Sequence, residues 1–221
     1  MASLAPHDAP TSPLYRIHHY PAGLIETRAL GSLGLLTLRP VLPQDDRLLA
    51  SLVASLSPQA RRFRFHGHGA LSSSQVQQMC GVDYREQLAL VITTQQDGIE
   101  WMLADARYSV DADGEGAEFA LLVDEAWQGH GLGRWAMAAL QRAADAAGLQ
   151  WLHGQVLQAN TPMRALMRRC GFALSPDAED EQVLHAQRRL GNNVVALPPL
   201  GPSRAPRVLS WLRRALPRNV I

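Results

Sequence analysis

Residues 115 to 134 read EGAEFALLVDEAWQGHGLGR, and the fold turns on how they are read. Ala117 to Val123 is a short, mostly apolar run that carries one carboxylate, Glu118. Periodicity alone leaves a helix segment open, and the punctuation after the run selects a strand. In Gln128-Gly129-His130-Gly131-Leu132-Gly133-Arg134, glycines at alternate positions make a bare, permissive backbone that continues no regular element. Leu132, Trp135, Ala136, Ala139, Leu140, Ala143 and Ala147 then recur at helical spacing, and Gly148 closes the helix. The stretch is therefore a strand, a tight glycine turn and a helix N-terminus.

A glycine loop feeding a helix N-terminus presents backbone N–H groups and the positive end of the helix dipole, which suits a phosphate or pyrophosphate. A P-loop ends in Gly-Lys-Ser/Thr, and this chain has no lysine. A Rossmann fingerprint wants G-x-G-x-x-G and an acidic residue closing a second strand; here the spacing is G-x-G-x-G and the acid is missing. The pattern Q/R-x-x-G-x-G/A is met by Gln128, Gly131 and Gly133, and in this the stretch resembles the acetyl-CoA pyrophosphate loop of the GNAT acetyltransferases. A glycine-rich turn with no ligand is the competing reading.

At 221 residues and 47% hydrophobic, the chain can bury a full core as one domain with tails. A formal charge of +1 gives no global electrostatic case for nucleic acid or a membrane surface. Cys80 and Cys170 lie far apart with no C-x-x-C, which points to a reduced, cytoplasmic chain rather than a disulfide scaffold. No run reaches transmembrane length, and the N-terminus lacks a signal pattern.

Along the chain, residues 1–19 read as a disordered leader and 20–190 as the folded domain. Leu33 to Arg39 is a first strand; Pro43-Gln44-Asp45-Asp46 starts a helix, Ser57-Pro58 a second and Ser72 or Ser73 a third. A metal reading of His66 and His68 has no third ligand nearby in sequence. Gln87 to Thr94 and Gly98 to Tyr108 form a hairpin, and Asp111 to Gly114 turns into the Glu118 strand, so three strands make an antiparallel meander. The glycine-loop helix intervenes before Gln150 to Leu157, an order that favours a parallel pair with a right-handed crossover. Asn160-Thr161-Pro162 starts another helix, which Gly171 stops, and Glu181 to Leu190 is the last strand. Residues 191–221 hold a proline-rich linker and a basic amphipathic helix, around Trp211, that packs on its own domain or on a second copy as a homodimer. A membrane surface or an acidic partner is the other use of such a helix.

The resemblance extends beyond the loop. Thr37-Leu38-Arg39-Pro40 with Gln44-Asp45 looks like the first strand and helix start of GNAT proteins, and Asn160-x-x-Met163-x-x-Leu166 to Gly171-Phe172 like their second cofactor segment. More narrowly, the chain resembles the catalytic domain of bacterial Pat-type protein lysine acetyltransferases over Tyr20 to Leu174. Its matching pieces include Tyr20-Pro21, Leu56-Ser57-Pro58, Asp83-Tyr84-Arg85-Glu86, Ala117-Glu118-Phe119-Ala120 and Trp127-Gln128-Gly129. Two departures stand out. The additional domain usual in Pat proteins has no room here, and the tyrosine general acid of many GNAT enzymes is matched by Met167.

The resemblance implies an α+β (mixed α/β) fold: a mixed, mostly antiparallel sheet with a parallel splayed strand pair and flanking helices. It implies acetyl-CoA as co-substrate, no metal, and a protein lysine or small amine as acceptor. Gly129, His130, Gly131, Leu132, Gly133 and Arg134 would then hold the pyrophosphate and Gln128 the loop. Leu121, Leu122 and Val123 would pair with the pantetheine arm, Asn160 and Met163 would complete the cofactor site, and an N–H near Leu122 or Val123 would polarise the thioester. Glu118 is the candidate general base, its apolar neighbours favouring the neutral form; Asp105 and Glu100 are the reserves. A catalytically silent acyl-CoA sensor is the competing class, and nucleic-acid binding rests only on the arginine-rich tail.

Overall fold

The computed structural model describes residues 20–29, 34–65 and 71–191. The leader 1–19, the histidines at 66 and 68 and the amphipathic helix near the C-terminus lie outside the described residues.

Eight strands form one sheet among the described residues, in the order β1-β2-β3-β4-β5-β6-β8-β7. They are β1 (Glu26–Ala29), β2 (Leu35–Pro40), β3 (Gln87–Gln96), β4 (Ile99–Val110), β5 (Gly116–Val123), β6 (Trp151–Leu157), β7 (Ala173–Pro176) and β8 (Val183–Arg189). Every neighbouring pair is antiparallel except β5 and β6, which run parallel. The meander is set by short turns: Asp97-Gly98, both at positive φ, joins β3 to β4. The parallel pair is joined by α4 (Leu132–Ala146), as a strand–helix–strand order requires.

Alternation along the strands divides the interior in two. One face carries Leu88, Leu90, Ile92, Phe119 and Leu121 and is covered by α4, through Leu132, Trp135, Ala136 and Leu140. It also takes Met167 of α5 (Thr161–Arg169). The opposite face carries Ala89, Val91, Ala120 and Leu122. It is covered by α1 (Asp46–Ser55), α2 (Pro58–Phe65) and α3 (Ser73–Cys80) through Leu49, Leu52, Phe65, Val76 and Met79. Glu118 belongs to this second face by its period-two relation to Ala120 and Leu122.

Local chemistry explains the helix starts. Ser72 Oγ accepts from the Gln75 N–H at 3.3 Å while Gln75 Oε1 accepts from the Ser72 N–H at 2.7 Å, a capping box that opens α3. Asp45 accepts from the Leu42 N–H and from both terminal nitrogens of Arg39, fixing the turn into α1 against β2. α4 begins after Gly131 at φ 89°, a left-handed conformation that a side chain resists. No helix among the described residues is long and apolar enough to cross a membrane.

Candidate active site

The parallel pair is short. Gly116, Ala117 and Glu118 pair with Trp151, Leu152 and His153, and the register ends there. β5 runs on to Val123 and β6 to Leu157 without pairing to each other, so the two strands splay from a vertex at Glu118 and His153.

Main-chain direction in the splay follows from the other edge of β5. The Asp111 N–H donates to Gly116 O at 2.9 Å and the Asp124 N–H to Leu103 O at 2.8 Å. Antiparallel bonding recurs at every second residue, so Glu118, Ala120 and Leu122 turn their backbone groups to β4. Phe119, Leu121 and Val123 turn theirs toward β6 and the opening. Of the donors expected from sequence, Leu122 is therefore engaged in the ladder, and Leu121 and Val123 face the gap.

The loop after β5 is tied back onto it. Asp124 Oδ1 accepts from the Ala126 N–H at 2.9 Å, and Gln128 Nε2 donates to Val123 O at 3.2 Å. Gly129 and Gly131 take φ 80° and 89°, and Leu132, 2% exposed, anchors the helix start in the core. Gln128, Gly129, His130, Gly131 and Arg134 are exposed. Among the described residues the N–H groups from Gly129 to Arg134 find no hydrogen-bond acceptor, because those of Leu132, Gly133 and Arg134 belong to the first turn of α4. Gly133 faces the splay: a Cβ there would meet Leu166 Cδ2 at 3.0 Å and Leu121 and Val123 side chains at 3.6 Å.

Asn160 caps α5 with its Oδ1, which accepts from the Met163 N–H at 3.1 Å, and Met163 packs half-buried against the core beside Leu166. Met167 is fully buried, so the helix position where a tyrosine acid would stand offers no proton donor.

Glu118 stands in register with Ser109 of β4 and His153 of β6. The apolar surround expected from its strand neighbours is not what the fold supplies. Charged groups from distant segments converge on it: Arg64 of α2 and the imidazole of His153 both feel its field. Burial pushes Arg64 down to about 10 against the upward pull of Asp105 and Glu118. Next along the face lies a buried ion cluster. Arg107 Nε donates to Asp105 Oδ1 at 2.8 Å, its Nη2 to Asp105 Oδ2, and its Nη1 to Met79 O at 2.9 Å. Arg64 Nη2 lies 3.7 Å from Asp105 Oδ1. Asp105 is thus fully buried between two guanidiniums, and Glu100 accepts from Arg39 Nη2 at 3.1 Å. Both reserve carboxylates are committed to arginines.

His153 is the residue that sequence reasoning missed. Its Nε2 lies 2.7 Å from Asp111 Oδ2; burial opposes its charged form, but the Asp111 bond and the fields of Asp111, Glu118 and Asp113 together outweigh that and raise its pKa. Asp111, Asp113, Glu86 and Ser109 line an adjoining cavity of about 320 Å³. The available signal was a histidine on the face-alternating strand after the helix, but the register that sets it beside Glu118 is not written in either strand alone. Among the described residues no group of acids, histidines or cysteines is arranged to hold a metal ion.

Comparison with known proteins agrees with this geometry. A family model described as an acetyltransferase (GNAT) domain matches residues 36–173. The chain is 29% identical over 150 residues to an acetyltransferase of Pseudomonas aeruginosa, covering 67% of this chain and 81% of that protein. It is 30% identical over 135 residues to the acetyltransferase Pat of Mycolicibacterium smegmatis, covering 61% of this chain but only 40% of that relative. The GNAT domain of S. lividans PAT shares the fold with a TM-score of 0.69 at 24% identity, over 77% of this chain and 99% of that one. A ribosomal alpha-N-protein acetyltransferase in complex with coenzyme A shares it with a TM-score of 0.57 at 16% identity, over 75% and 98%. With a splayed parallel pair, a glycine loop of open amides and a family match over most of the sheet, this chain belongs to the GNAT acetyltransferases.

Proposed function

We propose that the protein transfers the acetyl group of acetyl-CoA to lysine side chains of proteins, with Glu118 as general base. The observation that carries this reading is the position of Glu118, the last residue of β5 in register with β6 before the strands part.

A lysine ammonium has a pKa of roughly 10.4, so at pH 7 only about one amine in 2,500 is free to attack. A carboxylate at the closed end of the splay accepts the proton directly or through one water. The amides of Gly129 to Arg134, with the Arg134 side chain beside them, hold the diphosphate. The main-chain groups of Leu121 and Val123 meet the pantetheine arm, and an N–H there stabilises the oxyanion of the tetrahedral intermediate. Asn160 and Met163 flank the same cleft from α5. A thiol with a pKa near 8.5 is a good leaving group, so collapse of the intermediate needs no side-chain acid at Met167. Support for the lysine acceptor comes from the likeness to Pat-type enzymes and the relative named Pat.

The test is mass spectrometry of cell proteins incubated with this protein and isotopically labelled acetyl-CoA. Labelled lysines that vanish with Glu118→Gln, while acetyl-CoA still raises the melting temperature of the variant, support the proposal. Label on small amines alone would make it a small-molecule acetyltransferase. Thermal stabilisation with no CoA release from any acceptor would make it a sensor.

A further inference from the structure

Acetyl transfer from a thioester to an alkylammonium yields an amide, a thiol and one proton. If Glu118 takes that proton, it must lose it again before the next turnover, and the acetyl donor and acceptor block the splay during the reaction. The sheet places a second acid–base group directly beside it. His153 is the in-register partner of Glu118 on β6, and neighbouring strands lie about 4.8 Å apart with in-register side chains on one face. Its Nε2 bonds Asp111 Oδ2 at 2.7 Å, which fixes the neutral ring with its proton on Nε2 and leaves Nδ1 as a base. Nδ1 bonds no described residue.

The pair is built into the fold. Gly116 sits against it, and a Cβ there would lie 2.6 Å from Asp111 Oδ2 and 3.7 Å from His153 Cδ2. Beyond Asp111 lies the polar cavity of about 320 Å³ with Glu86, Ser109 and Asp113 in its wall, on the side of the vertex away from the splay. The charged groups facing the imidazole are Glu118 from β5, Asp111 from the end of β4 and Asp113 from the turn. From β8 the in-register residue is neutral Gln187, and the cation two residues along the same face, Arg189, lies over the Trp151 ring at 5.4 Å.

We infer that His153, held by Asp111, relays the proton collected by Glu118 to water in the cavity beside the β4–β5 turn. The ammonium gives its proton to the Glu118 carboxylate; the resulting carboxylic acid passes it to His153 Nδ1. The imidazolium so formed passes its Nε2 proton to Asp111, which lines the cavity and hands it to water there; the neutral ring, left protonated on Nδ1, regains the Nε2 tautomer by proton exchange with water before the next turnover. His153 touches no substrate and acts through Glu118. The inference rests on Glu118 being the base.

The experiment measures CoA release over pH 6 to 9 with acetyl-CoA and a pool of lysine-bearing peptides, for wild type, Glu118→Gln, His153→Gln, Asp111→Asn and Gly116→Ala. Wild-type kcat is expected to rise with pH as His153 becomes neutral. His153→Gln should lower kcat about 10- to 100-fold, remove that limb and leave KM for acetyl-CoA unchanged. Added imidazole buffer should restore part of the rate. Asp111→Asn and Gly116→Ala should move the limb to lower pH, since each weakens the anion that holds the proton on His153. A purely structural His153 would lower the melting temperature without moving the limb, and that result overturns the relay. It is also overturned if His153→Gln keeps wild-type kcat while Glu118→Gln is inactive. If Glu118→Gln itself keeps wild-type turnover, or the wild type releases no CoA with the pool, the base assignment fails first and the relay with it.

Discussion

Gly154 stands so close to Phe119 that a Cβ on it would meet the Phe119 carbonyl oxygen and ring edge at 3.0 Å. These residues follow directly on the last in-register pair, so this contact sets how sharply β5 and β6 diverge. Gly154→Ala forces a backbone oxygen to move, and it should cost about 1–3 kcal/mol, as overpacking does. The strands should separate at the vertex, raising KM for acetyl-CoA and lowering kcat together. Gly133→Ala is the comparison: its 3.0 Å neighbour is only the flexible end of Leu166, so its effect on melting temperature should be smaller. Equal losses in the two variants would refute this account of the vertex.

The parts of the fold legible in sequence are those whose signals are local. The strand, turn and helix from Gly116 to Ala146 announce themselves through an apolar run, alternate glycines and helical spacing. β1 does not. Three of its four residues, Glu-Thr-Arg-Ala, are polar and three are exposed, and side-chain partners far along the chain help to hold it. Glu26 accepts from Trp135 Nε1 at 2.7 Å and pairs with Arg142, and Arg28 lies over the Trp135 ring. β7, four residues ending in Pro176, is equally quiet. In the site, the loop was legible because amide geometry depends on glycine spacing. The charged surround of Glu118 was not, because Arg64 and His153 reach it through α2 packing and parallel register. Strand direction also removes Leu122 from the two expected splay donors, keeps Val123 and adds Leu121, a consequence of which edge of β5 pairs with β4.

Gly131 combines φ 89° with open space around its absent Cβ, so Gly131→Ala meets backbone strain but no protein atom. The strain should cost about 1 kcal/mol. The added methyl also enters the concavity where the amides point, and acetyl-CoA affinity should fall about tenfold, or 1.4 kcal/mol. Gly148→Ala, at φ 80° and equally uncrowded beyond the far end of α4, is the control. It should lose comparable stability and keep the full acetyl-CoA-induced rise in melting temperature. If both variants retain that rise, the diphosphate does not bind at this loop.

Asp105 lies between Arg107 and Arg64, all three buried. Removing the carboxylate leaves two guanidiniums to repel each other in the interior, and Asp105→Ala should destabilise by about 3–5 kcal/mol. Asp105→Asn keeps the shape and part of the hydrogen bonding, so its loss in denaturant midpoint should be smaller. Folded Asp105→Asn should still turn over acceptor. A stable but inactive Asp105→Asn would instead make Asp105 a participant in the chemistry.

The His153–Asp111 bond also fixes a direction for stability against pH. The imidazole has a raised pKa in the folded protein, because burial, which opposes its charge, is outweighed by the Asp111 bond together with the fields of Asp111, Glu118 and Asp113. The unfolded chain binds this proton less tightly, at about pH 6.5, so folding gains from it fully below that pH. The gain disappears as pH rises through the folded value. Wild type and His153→Gln share every other titrating group, so the gap between their melting temperatures isolates this contribution. It should be wide at pH 6 and narrow at pH 9. A gap that stays constant, or widens toward alkaline pH, would mean that the folded protein does not hold the proton on His153.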